Sequence, residues 1–79
     1  MRLDKYLKIS RLIKRRTVAK EVADNDLILI NGKVAKPSSS VEVGDLLTVS
    51  LGAKTREIKV LSLSDKEEMF TILKEEKRF

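Results

Sequence analysis

The feature that most limits the fold is a change of hydrophobic period at Leu27. Before it, apolar residues recur at helical spacing: Leu3 with Leu7, flanked by Tyr6 and Ile9, then Val18 with Val22 and Ala19 with Ala23. After it they run as LILI and then alternate. Leu47, Val49 and Leu51 fall on one face of a strand over 46–51, and Ile58 and Val60 face inward on another over 55–63, with Lys59 outward. Helices first and strands afterwards make an α+β chain. At 79 residues it can bury only roughly 60% of its extended surface, so 1–79 is read as one small domain.

The punctuation between these segments follows from turn and cap chemistry. Asp4 suits the positive end of the first helix, and Ser10 with Leu12-Ile13 breaks the chain before Lys14-Arg15-Arg16. A second helix is expected from about Thr17, a candidate N-cap, to Asp24-Asn25-Asp26. Asn31-Gly32 tolerates two positive φ angles and predicts a hairpin that Val34 continues. Pro37 and Ser38 to Ser40 read as a loop, Gly44-Asp45 and Gly52-Ala53-Lys54 as turns. Ser64 with Glu67 has the form of a capping box and predicts a final helix carrying Met69, Phe70, Ile72 and Leu73. The C-terminal strand and helix thus span about 55–76, and the closing KEEKRF is expected to fray.

Charge is regional. Residues 1–20 hold eight Lys/Arg (Arg2, Lys5, Lys8, Arg11, Lys14, Arg15, Arg16, Lys20) against Asp4 alone, a surplus of seven. The remaining residues carry nine bases and eleven acids, a deficit of two, which together with that surplus makes the net +5. Arg11 with Arg15, and Arg16 with Lys20, stand four apart, where like charges on one helix repel, and no Glu relieves them. A merely solvated face would interleave signs, as KEEK does near the C-terminus; a polyanion-binding face is the better account. Arg15 and Arg16 would meet the second helix's free N–H groups, where an anion is favoured, while their stems pack over Leu12 and Ile13.

Several classes of chemistry find no footing. The chain has no Cys and no His, so thiol nucleophiles, disulfides and zinc–thiolate or imidazole sites are ruled out, and Ser38, Ser39 and Ser40 lack a base. Gly32, Gly44 and Gly52 are too far apart for a phosphate-cradling loop, and Glu67-Glu68 and Glu75-Glu76 read as solvated surface. No enzymatic activity and no cofactor or metal are expected. MRLDKYL lacks the apolar core of a signal peptide and no apolar run nears the roughly 20 residues of a membrane span, so a cytoplasmic protein is expected. A basic helix with Leu3, Leu7, Leu12 and Ile13 could lie on anionic lipid, but the β-rich remainder needs those residues for its core. With Tyr6, Phe70 and Phe79 the only aromatics, no sheet can stack several bases, and recognition must run through phosphates, sugars and shape. That favours structured RNA. Tyr6 reads as a packing residue with its hydroxyl in water.

Arg2-Leu3-Asp4 with Leu7, Arg16-Thr17 with Ala19, Ile30-Asn31-Gly32, Pro37-Ser38 and Val43-Gly44-Asp45 together resemble the S4-type RNA-binding domain over about residues 1–50. The whole chain is similar to the stand-alone bacterial S4 proteins related to the heat-shock S4 protein. It departs from the latter in lacking the long basic C-terminal extension. The resemblance implies an αL fold, two N-terminal helices packed on a small, mostly antiparallel sheet. It also implies partners: 23S rRNA and tRNA on a large ribosomal subunit obstructed by peptidyl-tRNA, and a quality-control factor that extends the blocked peptide without a template. By position, Arg2 and Arg16 become leading RNA contacts, with Asp4 orienting the basic side chains. Charge and placement add Lys8, Arg11, Lys14, Arg15 and Lys20, and leave Lys33 and Lys36 open. A monomer without membrane attachment is expected. The competing role is that of an S4 adaptor recruiting a partner enzyme to RNA.

Overall fold

The computed structural model describes residues 1–77, so Arg78 and Phe79, the end of the stretch expected to fray, lie outside the described residues. Two helices, α1 (Leu3–Ile9) and α2 (Arg16–Asp24), precede five strands, β1 (Ile28–Ile30), β2 (Lys33–Val34), β3 (Leu46–Leu51), β4 (Lys54–Val60) and β5 (Phe70–Lys77). The strands form one antiparallel sheet in the order β2-β1-β3-β4-β5.

One core joins the two layers. Leu3, Tyr6 and Leu7 of α1 and Ala19, Val22 and Ala23 of α2 are buried in the same cluster as Ile28, Leu47, Val49, Ile58 and Val60 of the sheet. The inward positions expected on β3 and β4 are therefore inward, and Lys59 is exposed. Leu12 and Ile13 are buried as well, so the apolar side chains that a lipid surface would need are committed to the core. Val18 departs from expectation: only Val22 of that pair packs inside, and Val18 is exposed.

Short helices in a small domain depend on how their ends are satisfied. At the start of α1 the loop after β2 supplies the acceptors. Leu3 N–H donates to the Ser39 carbonyl at 2.8 Å and Asp4 N–H to that of Pro37 at 3.1 Å, while Arg2 bridges Ser40. Val41 N–H donates back to the Met1 carbonyl at 2.8 Å, and the Val41 side chain is fully buried. The loop predicted at Pro37 to Ser40 is thus the N-terminal cap of α1. Asn31 and Gly32 adopt φ of 51° and 82°, the pair of left-handed residues the hairpin requires. Asn31 does more than turn the chain: its side-chain oxygen accepts from Leu46 N–H at 2.9 Å and its amide donates to Asp45 at 3.1 Å, tying the hairpin to the start of β3. Helix α2 begins one residue earlier than expected, with Arg15 rather than Thr17 at its N-cap and no side-chain cap.

The final helix does not form; residues 70–77 are a strand. A short apolar run such as MFTIL fits either period, and what decides it here is the neighbour. Antiparallel to β4, β5 sets Glu75 opposite Arg56 and Lys74 opposite Glu57, with Arg56 Nε 3.4 Å from Glu75 Oε1. It also covers an edge of β4 that would otherwise be open. A bulge absorbs one residue, since Glu57 pairs with Lys74 but Ile58 with Ile72. Ser64 and Glu67 do not form a capping box either. Ser64 Oγ accepts from Lys66 N–H at 3.3 Å and Glu67 accepts from Ser62 Oγ at 3.3 Å, a local turn. Lys74 to Lys77, expected to fray, belong to the ladder.

Tyr6 is the second correction. Its hydroxyl is not in water: it donates to the Met69 carbonyl at 2.7 Å inside the core, and burial pushes its pKa up to about 12. That bond joins α1 to the segment entering β5. Met69 also accepts from Leu61 and Ser62 N–H, so Tyr6→Phe leaves no orphaned carbonyl and should cost about 1 kcal/mol at neutral pH by urea unfolding. Because the folded pKa lies above the ordinary 10.0, the tyrosine's contribution is intact below pH 10 and lost as pH rises towards 12. The stability gap between wild type and Tyr6→Phe should therefore close over that window.

Candidate nucleic-acid interface

The first turn of α1 carries the one buried charge among the described residues, Asp4, 3% exposed. Arg2 reaches it with two bonds, Nε to Oδ1 at 3.1 Å and Nη2 to Oδ2 at 3.2 Å. Arg16, the first residue of α2, donates from Nη2 to Oδ1 at 3.4 Å, and Lys5 N–H donates to the same oxygen at 2.8 Å. Burial alone would raise the Asp4 pKa; the bonds from Arg2, Lys5 N–H and Arg16 outweigh it and hold the carboxyl below its ordinary 3.8. The two guanidiniums remain about half exposed, at 53% and 52%, so one carboxylate anchors two cations that still face solvent. The arrangement keeps one surplus positive charge and unused donors on two planar forks, the geometry that suits phosphate oxygens.

The other expected cations lie on α1, on α2 and on the connection between them. Lys20 stands one turn beyond Arg16 on α2 and is exposed. Lys8, Arg11 and Lys14 line an open cleft of about 620 Å³ beside the connection from α1 to α2, together with Asp65 and Glu67 from the connection into β5. Arg15 and Lys14 border a shallower hollow floored by Leu12, Ile13, Val18 and Leu51, so the packing of stems over apolar neighbours and the outward display of charge occur together. Arg11 is not on a helix, which removes the expected helical repulsion between Arg11 and Arg15; that between Arg16 and Lys20, both on α2, stands. Arg15 and Arg16 occupy the uncapped N-terminus of α2 as expected.

Lys5 was not singled out by charge spacing, yet it is exposed and follows Arg2 and precedes Lys8 at three-residue steps along α1. The signal was present as a period of three. On the hairpin side, Lys36 is engaged with Asp26 at 2.6 Å, whose hydrogen bond raises the lysine's pKa, whereas Lys33 is exposed on β2. No helix among the described residues is long and apolar enough to cross a membrane, and no cluster of ligating side chains among them could hold a metal.

The family model described as S4 domain matches residues 1–47. The chain is 61% identical to the "RQC P-site tRNA stabilizing factor" of Bacillus subtilis, an alignment covering 98% of this chain and 96% of the relative. A factor of the same name from Listeria innocua is 55% identical over 98% of this chain and 90% of the relative. Among solved structures, the trimeric structure of Vibrio cholerae heat shock protein 15 superimposes with a TM-score of 0.83 at 32% identity, over 91% of this chain and 80% of that one.

The Asp4 node makes a stability prediction of its own. Asp4→Asn keeps the shape but removes the charge that both guanidiniums address, and should cost about 1–3 kcal/mol at pH 7 by urea unfolding, part of the effect being screened at the half-exposed arginines. Since the folded pKa is depressed, the wild-type advantage is present above the ordinary 3.8 and disappears as pH falls below it. A gap that is flat from pH 7 to pH 2 would show that the carboxylate's charge is not what stabilises the node.

Proposed function

Because the chain belongs to the S4 domain family, we propose that it is a non-enzymatic RNA-binding factor of ribosome-associated quality control. It engages 23S rRNA and tRNA on a large ribosomal subunit obstructed by peptidyl-tRNA, and steadies the P-site tRNA while a partner factor extends the nascent chain. The near full-length likeness to factors named for that role supports the setting, which is cytoplasmic. The observation that carries the mechanism is the buried Asp4 holding Arg2 and Arg16, from two different helices, on one node with both heads half exposed.

Arg2 and Arg16 are the leading phosphate contacts, with Lys5, Lys8, Arg11, Lys14, Arg15 and Lys20 around them. Pre-ordered guanidiniums lose little side-chain entropy on binding, and neutralised phosphates release counterions. Closely spaced backbones of folded RNA meet such a surface better than a single strand, which would need aromatic platforms this chain lacks. A single copy carries every cation in this account, so a monomer suffices.

Cosedimentation with large subunits carrying peptidyl-tRNA tests the reading. Arg2→Ala and Arg16→Ala should each weaken binding several-fold without unfolding the domain, and each should reduce the log–log salt slope by about 1. Asp4→Asn should also weaken it, although the net charge rises one unit above +5, because the arginines lose their anchor. Unchanged cosedimentation of both arginine variants would overturn the proposal.

A further inference from the structure

The cleft beside the helix connection has a composition that phosphate binding does not explain. Its floor is apolar, the half-buried Ile9 and the buried Met69, and its walls carry three cations, Lys8, Arg11 and Lys14, together with two carboxylates, Asp65 and Glu67. Opposite charges do meet at the surface in places, as Lys36 with Asp26 and Arg56 with Glu75, although Lys33, Lys54 and Lys59 stand unpaired among the described residues, outside this cleft. Here, among the described residues, none of the three cations is ion-paired, and Asp65 has no hydrogen-bond partner. Glu67 meets only the Ser62 hydroxyl, at its Oε1. Phosphate alone gives Asp65 and Glu67 nothing to do, and no group of three or more ligating side chains that could hold a metal is found among the described residues.

Arg11 adds an independent observation. It follows the C-cap Ser10 in the left-handed conformation, φ 66°, with its N–H on the Lys8 carbonyl at 3.1 Å. Glycine or asparagine takes that position at low cost, and a long side chain there is strained. An arginine at a position that favours glycine, on the lip of an open cleft, points to use of its side chain.

We propose that this cleft holds a single unpaired nucleotide of the bound RNA, a guanine by preference. The inference rests on the RNA-binding reading above and names the feature of the RNA that is read. The base lies on Ile9 and Met69, its phosphates meet Arg11, Lys8 and Lys14, and its Watson–Crick edge faces the carboxylates. Guanine alone presents two adjacent donors, N1–H and N2–H, that match the two oxygens of one carboxylate. Adenine and cytosine set a ring acceptor beside their amino group, and uracil flanks its one N–H with two carbonyls, so each would place an acceptor against Asp65 or Glu67. A cleft of about 620 Å³ lies within the range of roughly 300–1,000 Å³ usual for sites of this kind.

The test uses the whole chain and four hairpin RNAs identical except for one bulged nucleotide, G, A, C or U. The wild type should prefer the G bulge by roughly 5- to 150-fold, the discrimination expected of one bidentate contact. Asp65→Asn with Glu67→Gln should abolish the preference without reducing overall affinity. Arg11→Gly should hold or raise the melting temperature, relieving the strained φ, while lowering affinity for the G-bulged hairpin. Equal binding of all four RNAs, still weakened by Arg16→Ala, overturns the nucleotide cleft and leaves the RNA-binding reading standing. A guanine preference that survives the double variant overturns the cleft as its source. If none of the RNAs binds while the chain still cosediments with obstructed large subunits, the nucleotide cleft is overturned and the RNA-binding reading stands; loss of both overturns both.

Discussion

The Asp4 carboxylate is the constraint on which the display of charge depends. An ionised carboxylate at 3% exposure costs several kcal/mol unless it is fully partnered. Its partners therefore specify the fold around it: Lys5 N–H fixes the turn of α1, Arg2 fixes the entry to that helix, and Arg16 brings in the start of α2. Arg2 is in turn bridged to Ser40, and the carbonyls of Pro37 and Ser39 cap α1, so the loop after β2 joins the same node. Arginine suits the task where lysine would not, because a planar fork can give two donors to Asp4 and keep others for a ligand.

Positioning requires a rigid backing, which a chain of this size cannot obtain from helices of seven and nine residues by themselves. The sheet supplies it. Ile28, Leu47, Val49, Ile58 and Val60 form the apolar surface on which both helices rest, and β5 covers the edge of β4. The Tyr6 hydroxyl then links α1 to the last connection in the chain, 63 residues away. The cationic node is thus coupled to the far end of the sequence through the core, and not only through its own neighbours.

What the sequence disclosed, and what it concealed, follows the range of the interactions involved. Local chemistry was legible. Asn31-Gly32 must turn, and the alternation at Leu47, Val49, Ile58 and Val60 must face inward. Non-local pairing was not. Ser64, Glu67, Ile72 and Leu73 satisfy helical spacing, and only Arg56 and Glu57 on another strand reveal that Glu75 and Lys74 belong opposite them. Tyr6 was misjudged for the same reason, since its acceptor is the carbonyl of Met69. The cleft was invisible because Asp65 and Glu67 approach Lys8, Arg11 and Lys14 across more than fifty residues of chain.

Positive charge is distributed unevenly along the chain, and this bears on how binding energy arises. In the sheet-forming part acids outnumber bases, and three bases meet acids at the surface: Lys36 with Asp26, Arg56 with Glu75, Lys74 with Glu76. Such exposed pairs contribute little to stability, but they cancel the local field. In the first twenty residues only Asp4 performs that office, for two arginines at once, and the remaining cations keep their full charge towards solvent. Residual repulsion, such as that between Arg16 and Lys20, destabilises the free protein by a few tenths of a kcal/mol. A polyanion removes that repulsion when it binds, so the same charges that slightly oppose folding favour the complex. The surplus of seven positive charges in residues 1–20, against a deficit of two in the remainder, concentrates the positive field in the part of the chain that carries the helices.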